Sequence, residues 1–501
     1  MSLLVGRTEG GREHEPIMAE LLERLEQLRD VVALEAGEQL DGWLPRIERR
    51  SFGLSARNLA AYLALRRRDL RALQLEMMQL GLSSLGRCES RVLENLDASI
   101  AMLARAAGSE HAADRPFPPS RSFFRGTRLL RRHTDEVFGP PPEGRDVRIM
   151  ATLPSAAAED PDLVRGLVAA GMDVARINCS HDDADAWRAM AANVRRAAAD
   201  CGRHCRVSMD LGGPRARTGK VRMLEAGTRL RPGEAFSLHE PGAERPNRLP
   251  VEVECSLTGI VGQLRPGEGV WVDEGSVRAV VDQTDGTTAI LRVVRTGPKG
   301  ARLRPDKGLN FPDTELRLSP LTPKDLRDLD TVAELADIVA YSFVQRPGDV
   351  DLLRDELAHR TDRTLALVAK VETGFAVRQL PEIVIQAAGR QPLAVMIARG
   401  DLAVEIGYPR LAEIQEELLW LCEAAHVPVI WATQVLDTFV RKGVHSRAEM
   451  TDAAMAERAE CVMLNKGPFQ LEAVAVLHDV LGRMEAHQAK KTSRLRALGA
   501  W

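Results

Sequence analysis

Two carboxylates and one lysine follow two of the apolar runs of the sequence, and side chains of these types suit transfer chemistry assisted by a metal ion. Lys370 and Glu372 lie at the end of one run, and Asp401 follows the next. Carboxylate oxygens are preferred ligands of hard divalent cations such as Mg²⁺ or Mn²⁺, and neither cysteine nor histidine accompanies them to form a soft-metal site. Arg176 and Arg217 add positive charge after other runs, so the expected ligand is polyanionic, with phosphate and carboxylate groups. Metal ions and Lys or Arg side chains commonly stabilise a phosphoryl group in transfer.

Further polar residues follow the other apolar runs. They are Asn178, Ser180 and His181 at the end of one run, Asp210 at the end of the next, and Gly400 and Thr433 at the ends of two later runs. A glycine lets a carboxylate approach backbone amides, and a threonine hydroxyl is able to orient a water molecule or pass a proton. Each of these residues alone fits a surface salt bridge or the end of a strand as well as it fits a site. As a set they favour a common site, because a buried charge without a partner costs several kcal/mol.

Eight short apolar runs alternate with amphipathic helical stretches and predict the elements that position these residues. The runs are Val147–Leu153, Asp173–Asn178, Arg206–Asp210, Asp337–Phe343, Leu365–Val371, Leu393–Ala398, Val427–Thr433 and Cys461–Leu464. Seven of them lead almost directly into helix-like sequence, and the third is followed by a long insertion before its helix, Pro323–Leu335. Eight such units predict an α/β fold, a closed (β/α)8 TIM barrel, whose active sites lie at the carboxyl ends of the strands. An open, doubly wound sheet is the competing interpretation.

Changes in composition along the chain predict the domain limits. Residues 1–143 carry apolar residues at helical spacing amid Arg and Glu, which predicts an N-terminal all-α extension that ends in a proline-rich stretch. The insertion is rich in Gly, Pro, Val and Thr and predicts a small all-β domain at 220–305. The barrel then comprises 144–219 and 306–488, and 489–501 form a short basic tail.

The overall composition excludes several classes of function. The 501 residues carry 68 Lys and Arg against 71 Asp and Glu, a net charge of −3, so no overall positive field attracts nucleic acid. No apolar stretch reaches the ~20 residues that span a bilayer, so no membrane partner is expected. The seven cysteines are scattered along the chain, which predicts reduced thiols and a cytoplasmic protein.

Six segments resemble, in order and with similar spacing, the signature segments of the pyruvate kinase family. They are Val174–His181, Met209–Gly219, Lys307–Pro312, Ala369–Glu372, Met396–Leu402 and Ala432–Gln434. The resemblance covers the chain from about Arg148 to Arg483. It implies a (β/α)8 barrel with a small β domain after the third strand, where the insertion falls. It also implies the glycolytic transfer of a phosphoryl group from phosphoenolpyruvate to ADP, which gives pyruvate and ATP.

The resemblance further implies a role for each matching residue. Catalytic positions are Lys370, Arg176 and Thr433, and substrate contacts are Arg176, Lys370, Gly400, Asp401 and Thr433. The implied ligands of Mg²⁺ or Mn²⁺ are Glu372 and Asp401, and the nucleotide positions are Asn178, Ser180, His181, Arg217 and Lys307. A monovalent-cation position consists of Asn178, Ser180, Asp210 and the carbonyl of Leu211. The inserted domain, with Asp273 and Glu274, would act as a lid that excludes water.

The chain departs from the family pattern in three places within the barrel. Arg215 stands where potassium-dependent members have glutamate, so its guanidinium is expected to replace the monovalent cation, and K⁺ is expected not to be required. Gly212 stands where the family usually has lysine, which removes a positive charge. The loop Asn465–Phe469 replaces the family's Ser-Gly-Glu-Thr-Ala segment, and Lys466 in this loop offers a cation in return.

Regulation and assembly are expected to differ as well. The chain ends soon after the eighth helix, so the family's C-terminal, effector-binding domain is expected to be absent. The N-terminal helices are then expected to supply the contacts of a homo-oligomer. The sequence leaves two alternatives open. One is a Mg²⁺-dependent enolate lyase or aldolase of the TIM-barrel type, against which the basic cluster and the lid count. The other is a catalytically degenerate regulatory binding protein, against which the intact set of charged residues counts.

Overall fold

The N-terminal part of the chain is helical, as predicted, in a computed structural model that describes residues 10–82, 85–243 and 249–494. Its helices are α1 (Gly10–Trp43), α2 (Gly53–Arg66), α3 (Arg71–Gln79), α4 (Val92–Ala106), α5 (Ser120–Phe123) and α6 (Arg125–Phe138). In α1 the buried residues Leu21, Leu25, Val32 and Ala36 recur at spacings of four and seven and form one apolar face. This face allows α1 to pack along α2 and α4.

The strands belong to two main sheets. In chain order they are β1 (Arg148–Thr152), β2 (Val174–Asn178), β3 (Arg206–Asp210), β4 (Thr218–Met223), β5 (Ala235–His239), β6 (Val251–Cys255), β7 (Gly269–Val272), β8 (Val277–Thr284), β9 (Thr288–Arg295), β10 (Leu309–Asn310), β11 (Ile338–Tyr341), β12 (Ala366–Val371), β13 (Leu393–Ala398), β14 (Val429–Ala432), β15 (Cys461–Leu464), β16 (Gln488–Ala489) and β17 (Thr492–Ser493). Strands β1–β3 and β11–β15 form a closed barrel of parallel neighbours, in the order β1-β15-β14-β13-β12-β11-β3-β2. Each predicted apolar run contains one of these strands, so the TIM barrel is confirmed and the open-sheet alternative is wrong.

The barrel strands alternate with helices. These helices are α7 (Pro161–Ala170), α8 (Ala184–Asp200), α9 (Pro323–Leu335), α10 (Pro347–Ala358), α11 (Gly374–Ala388), α12 (Arg399–Ile406), α13 (Tyr408–Ala424), α14 (Asp437–Lys442), α15 (Arg447–Met455) and α16 (Gln470–Glu485). Two strands, β13 and β14, are each followed by two helices, and the short α12 begins directly where β13 ends. Throughout the described ranges, the helices lack an apolar stretch of the length needed to cross a membrane.

The insertion after β3 is an all-β unit, as predicted. Strands β4–β10 form one sheet in the order β10-β7-β8-β9-β5-β6-β4, and its own apolar core includes Phe236 and Leu291. Thr218 pairs with Cys255, and Asn310 pairs with Trp271, so the sheet extends beyond the predicted interval 220–305 at both ends. The connections that enter and leave the sheet therefore lie close to the barrel.

The last turn of α6 closes the barrel at the amino ends of its strands. Val137 and Phe138 are each 1% exposed. They pack in the barrel interior with Val174 and Ile338, the first residues of β2 and β11. The apolar plug leaves the opposite mouth, at the carboxyl ends, as the end where a ligand has access.

The chain beyond α16 turns back onto the molecule. Strands β16 and β17 pair as a short antiparallel hairpin. Between them, Lys490 forms an ion pair with Glu460 of the barrel, and Lys491 forms one with Glu89 of the helical extension. The remainder of the predicted basic tail, residues 495–501, lies outside the described residues.

Candidate active site

A cavity of about 650 Å³ opens at the carboxyl ends of the barrel strands. Because neighbouring strands are parallel, all their carboxyl ends meet at this one mouth. Of the residues singled out in the sequence, the cavity is lined by Arg176, Asn178, Ser180, His181, Leu211, Gly212, Arg215, Arg217, Lys370, Glu372, Asp401, Thr433 and Asn465. The structure thus gathers most of the predicted site residues around a single space.

Lys370 lies among oxygen atoms near the bottom of this cavity. Its Nζ donates to Ser342 Oγ at 2.7 Å and lies 3.0 Å from Glu372 Oε1 and 4.0 Å from Asp210 Oδ2. Lys370 and Glu372 are two positions apart near the end of β12, which puts both side chains on the interior face. The ammonium group is therefore fixed in place, with positive charge directed at whatever anion enters the cavity.

Glu372 lies between this cation and a second carboxylate. Its side chain is almost fully buried, and its Oε2 accepts a hydrogen bond from the Phe343 amide at 2.7 Å. Burial raises the pKa of Glu372, the nearby Asp401 carboxylate raises it further, and Lys370 lowers it. A divalent cation held by Glu372 and Asp401 would relieve the repulsion between them, and two oxygen donors of this kind fit Mg²⁺ or Mn²⁺.

Other metal sites find no support in the described part of the chain, where no group of three or more His, Cys, Asp or Glu side chains is arranged to hold a metal ion. A cation at Glu372 and Asp401 would thus take its remaining ligands from substrate oxygens and water. This arrangement is usual for Mg²⁺ bound together with phosphate groups.

The Arg176 guanidinium is oriented by Asp210 on the next strand. Its Nε and Nη2 lie 2.8 and 2.7 Å from Asp210 Oδ2, and its Nη1 donates to Thr152 Oγ1 at 3.0 Å. Arg176 thus both forms a salt bridge and lines the cavity. The other oxygen, Asp210 Oδ1, is buried without a hydrogen-bond partner. Such an atom costs about 1–3 kcal/mol, so it is a candidate ligand for a cation.

The residues of the implied monovalent-cation position are only partly available. Asn178 Oδ1 accepts from the Ser180 amide at 3.1 Å, and the Leu211 carbonyl accepts from Ser342 Oγ at 2.8 Å. The Arg215 guanidinium, expected at this position, instead donates to Asp401 Oδ1 at 2.6 Å. Asp401 gives the guanidinium a carboxylate partner, whereas the carboxylate of the monovalent-cation position, Asp210, is already bound by Arg176.

Thr433 is held in an unusual backbone conformation beside Gly400. Its φ of 66° is left-handed, which is costly for a β-branched residue. Arg399 supports this conformation because its Nη2 donates to the Thr433 carbonyl at 2.6 Å, while Asp452 binds the same guanidinium. The Gly400 amide donates to Thr433 Oγ1 at 2.8 Å, so the hydroxyl has a defined position at the cavity wall.

Two of the implied nucleotide residues contact the inserted sheet or its return connection. Arg217 lines the cavity and pairs with Asp306 at 2.9 Å. Lys307 is not brought into the cavity lining, and its Nζ lies 3.0 Å from Asp273 Oδ1 in the turn after β7. Lys307 and Asp273 therefore hold the base of the inserted sheet together.

Some cavity residues were not found from the sequence, among them Lys324 and Asp325. Asp325 accepts hydrogen bonds from the Gly212 and Gly213 amides at 2.9 and 3.2 Å. One signal for Asp325 was available, because Thr322 and Asp325 form the capping box that starts α9. Gly213 has a φ of 69°, and a Cβ there would lie 2.9 Å from Ser342 Cβ, so the loop needs glycine.

Comparison with known proteins identifies relatives for this part of the chain. A family model described as the pyruvate kinase barrel domain matches residues 144–474. A pyruvate kinase of Mycobacterium tuberculosis is 34% identical over 345 residues, which are 68% of this chain and 70% of the relative. One of Agrobacterium vitis is 33% identical over 351 residues, with 69% and 70% covered. The crystal structure of a pyruvate kinase from Cryptosporidium parvum gives a TM-score of 0.62 at 26% identity, over 70% of this chain and 72% of that chain.

Proposed function

The chain belongs to the pyruvate kinase family of phosphotransferase enzymes, and from this premise we propose that it transfers the phosphoryl group of phosphoenolpyruvate to ADP. In this reaction the bond between phosphorus and the enol oxygen breaks, and a bond to a terminal phosphate oxygen of ADP forms. The enolate carbon then takes up a proton to give pyruvate. The observation that carries the proposal is the convergence of Lys370, Arg176, Glu372 and Asp401 on one cavity.

In this proposal, the side chains at the cavity stabilise negative charge and position the substrate. Lys370 Nζ neutralises charge on the transferring phosphoryl group and on the enolate, and Arg176 binds the substrate phosphate. Glu372 and Asp401 would hold Mg²⁺ or Mn²⁺, which supplies further neutralisation of phosphate charge when bound. Gly400 contacts the substrate, and the Thr433 hydroxyl lies near the path of the proton to the enolate carbon.

The nucleotide is proposed to bind toward Asn178, Ser180, His181 and Arg217, with the inserted sheet as a lid. All four residues line the cavity, and two of them are polar but uncharged, which suits hydrogen bonds to phosphate oxygens. The ion pair between Lys307 and Asp273 supports a lid role for the sheet. Lys307 lies where the chain returns to the barrel, so the pair ties the sheet to this connection. Closing such a lid excludes water, which protects the transferring phosphoryl group from hydrolysis.

We also propose that activity does not require K⁺. Arg215 contributes a permanent positive charge to the cavity, and Lys370 adds another, with its Nζ 4.0 Å from Asp210 Oδ2. Assay of the purified protein in a potassium-free buffer is expected to give nearly full activity. A large stimulation of the wild type by added KCl would contradict this part of the proposal. Stimulation by KCl of the Arg215→Glu variant, but not of the wild type, would support it.

The proposal also covers the subcellular localisation and the oligomeric state of the protein. All seven cysteines are unpaired, which supports a cytoplasmic enzyme. We expect a homo-oligomer, so light scattering of the full chain should give a multiple of 55.0 kDa. A mass of one chain at micromolar concentration would count against it.

The decisive experiment is a coupled assay for pyruvate formed from phosphoenolpyruvate, with and without ADP and with and without Mg²⁺. The proposal predicts pyruvate only when both are present, together with an equal amount of ATP. Pyruvate without ADP would indicate lyase or hydrolase chemistry. No pyruvate under any condition, with phosphoenolpyruvate still bound, would indicate a degenerate binding protein.

A further inference from the structure

Both connections between the inserted sheet and the barrel contact the same short helix, α12. The outgoing connection carries Arg215, whose guanidinium pairs with Asp401 at 2.6 Å. The returning strand β10 carries Asn310, whose Nδ2 donates to Glu405 Oε1 at 3.0 Å. Asp401 and Glu405 are four residues apart, so they lie on the same face of α12. The helix thus holds the lid at two points, one turn apart.

The two contacts differ in what a bound metal ion would do to them. Arg215 binds an oxygen of Asp401, a proposed metal ligand, so a divalent cation competes directly with the guanidinium for that carboxylate. Glu405 is not among the proposed metal ligands, and its bond to Asn310 involves no oxygen that the metal needs. The second contact therefore persists when the first is exchanged for a cation.

A second cavity, of about 240 Å³, lies beside these contacts. Its lining includes Arg215, Asn310, Asp401 and Glu405, together with Phe343 and Phe375. Arg215, Phe343 and Asp401 also line the larger cavity, so the two spaces adjoin. The connections of the lid thus have unfilled volume next to them, and both partners of the bond from Asn310 to Glu405 line this cavity.

The carboxyl group of Glu405 is buried but hydrogen-bonded, and its pKa reflects both. Burial raises the pKa of Glu405 to about 7, while the Asn310 side chain, which lowers it, favours the charged form. Burying a carboxylate costs free energy unless it is hydrogen-bonded, and Asn310 supplies such a bond. Its oxygen accepts from the Asn310 amide in either protonation state, so the contact is available throughout the neutral range.

We propose that Glu405 is a positioning residue. Through Asn310, it fixes the connection by which the chain returns from the lid to the barrel, residues 306–318 (the hinge), to α12, the helix that carries Gly400 and Asp401. The inference rests on the proposed function, in which the lid closes over phosphoenolpyruvate and ADP. When a cation displaces Arg215 from Asp401, the bond between Glu405 and Asn310 keeps the lid aligned with the metal site. Loss of the bond shifts the lid away from its closed position without touching the reacting groups.

The test compares Glu405→Ala with Glu405→Gln, which retains an oxygen that accepts from Asn310. Loss of one such bond, worth about 1 kcal/mol, corresponds to about a fivefold change in a closing equilibrium. Glu405→Ala is therefore expected to raise amide hydrogen exchange across residues 306–318 about fivefold. It should raise the KM for both substrates by a similar factor and change kcat less than twofold. Glu405→Gln should restore both readouts. Asn310→Ala should change both in the same direction but less, because the Phe311 amide also interacts with Glu405, and it should add nothing to Glu405→Ala in the double variant.

A matched control is Glu413→Ala, which removes an exposed glutamate from the neighbouring helix and should change neither readout. The inference is overturned if Glu405→Ala leaves hinge exchange at the wild-type level, or if Glu405→Gln behaves like Glu405→Ala. Hydrogen exchange needs no turnover, so the two proposals fail separately. A wild-type chain that forms no pyruvate contradicts the proposed function, whereas an active chain with an unchanged hinge contradicts only the role of Glu405.

Discussion

The two ends of the barrel use polar residues in opposite ways. At the carboxyl mouth, Lys370 and Glu372 face a cavity of about 650 Å³, and Asp210 Oδ1 is left without a partner. At the amino end, Phe138 fills the interior among apolar residues, and polar side chains at the junction between the helical extension and the barrel bind backbone groups. Asn58 donates to the carbonyls of Glu89 and Ala424 at 2.7 and 2.8 Å.

The comparison shows how an active site differs from a structural junction, here the one between the helical extension and the barrel, when both contain many polar groups. At the junction, His426 contacts Ser55 Oγ at 2.9 Å and the Ser90 carbonyl at 3.1 Å, so both ring nitrogens are engaged. A Cβ added to Gly126 would lie 1.9 Å from that same carbonyl, which shows how closely α6 approaches. Charged side chains around open volume, one of them with an unpartnered carboxylate oxygen, mark the site, whereas at the junction the side chains of Asn58 and His426 are bound by protein partners.

The largest expected effect comes from a substitution in the apolar plug at the amino end of the barrel. Phe138→Ala removes a buried ring from the barrel interior and should lower the free energy of unfolding by about 3–5 kcal/mol, because the cavity left behind cannot collapse. Urea denaturation measures this loss, and the KM for phosphoenolpyruvate of the folded variant should stay unchanged. The control Phe124→Ala removes a ring that is 50% exposed and should cost less than about 1 kcal/mol. Equal costs for the two variants would refute the plug.

The next effect breaks the site without touching the junction. Lys370→Met removes the ammonium that the cavity directs at a bound anion, and kcat should fall about 10²- to 10³-fold. The coupled pyruvate assay measures the change, and circular dichroism should show that the variant is folded like the wild type under the assay conditions. Lys442→Met, which changes an exposed lysine of α14, is the matched control and should retain wild-type turnover. Turnover of Lys370→Met within tenfold of the wild type would contradict the assigned role.

A smaller effect sharpens the comparison through pH. Burial lowers the pKa of His426 from 6.5 to about 4. The neutral ring therefore stabilises the folded chain fully above pH 6.5, and this contribution is lost as the pH falls toward 4. The shift corresponds to at most about 3 kcal/mol. Urea denaturation between pH 7 and 4.5 should show a shallower decline for His426→Gln than for the wild type, and parallel curves would rule this account out.

Much of this fold could be predicted from the sequence because buried parallel strands are short continuous apolar runs, and all eight were visible as such. The site residues followed from their places at the ends of those runs, as Lys370 and Asp401 illustrate. The plug could not be predicted, because an apolar residue such as Phe138 carries no mark of which core it enters. The ion pair between Arg215 and Asp401 was also missed, since it joins side chains 186 positions apart that only the closed barrel brings together.

Binding of Mn²⁺ to the full chain in the presence of phosphoenolpyruvate, followed by electron paramagnetic resonance of the free ion, tests the central claim most directly. The account predicts one tight site per chain, with affinity weakened about tenfold or more by Glu372→Gln and by Asp401→Asn, and unchanged by the surface substitution Glu413→Gln. Mn²⁺ binding by both site variants with wild-type affinity would contradict the claim that these two carboxylates hold the metal at the carboxyl mouth of the barrel.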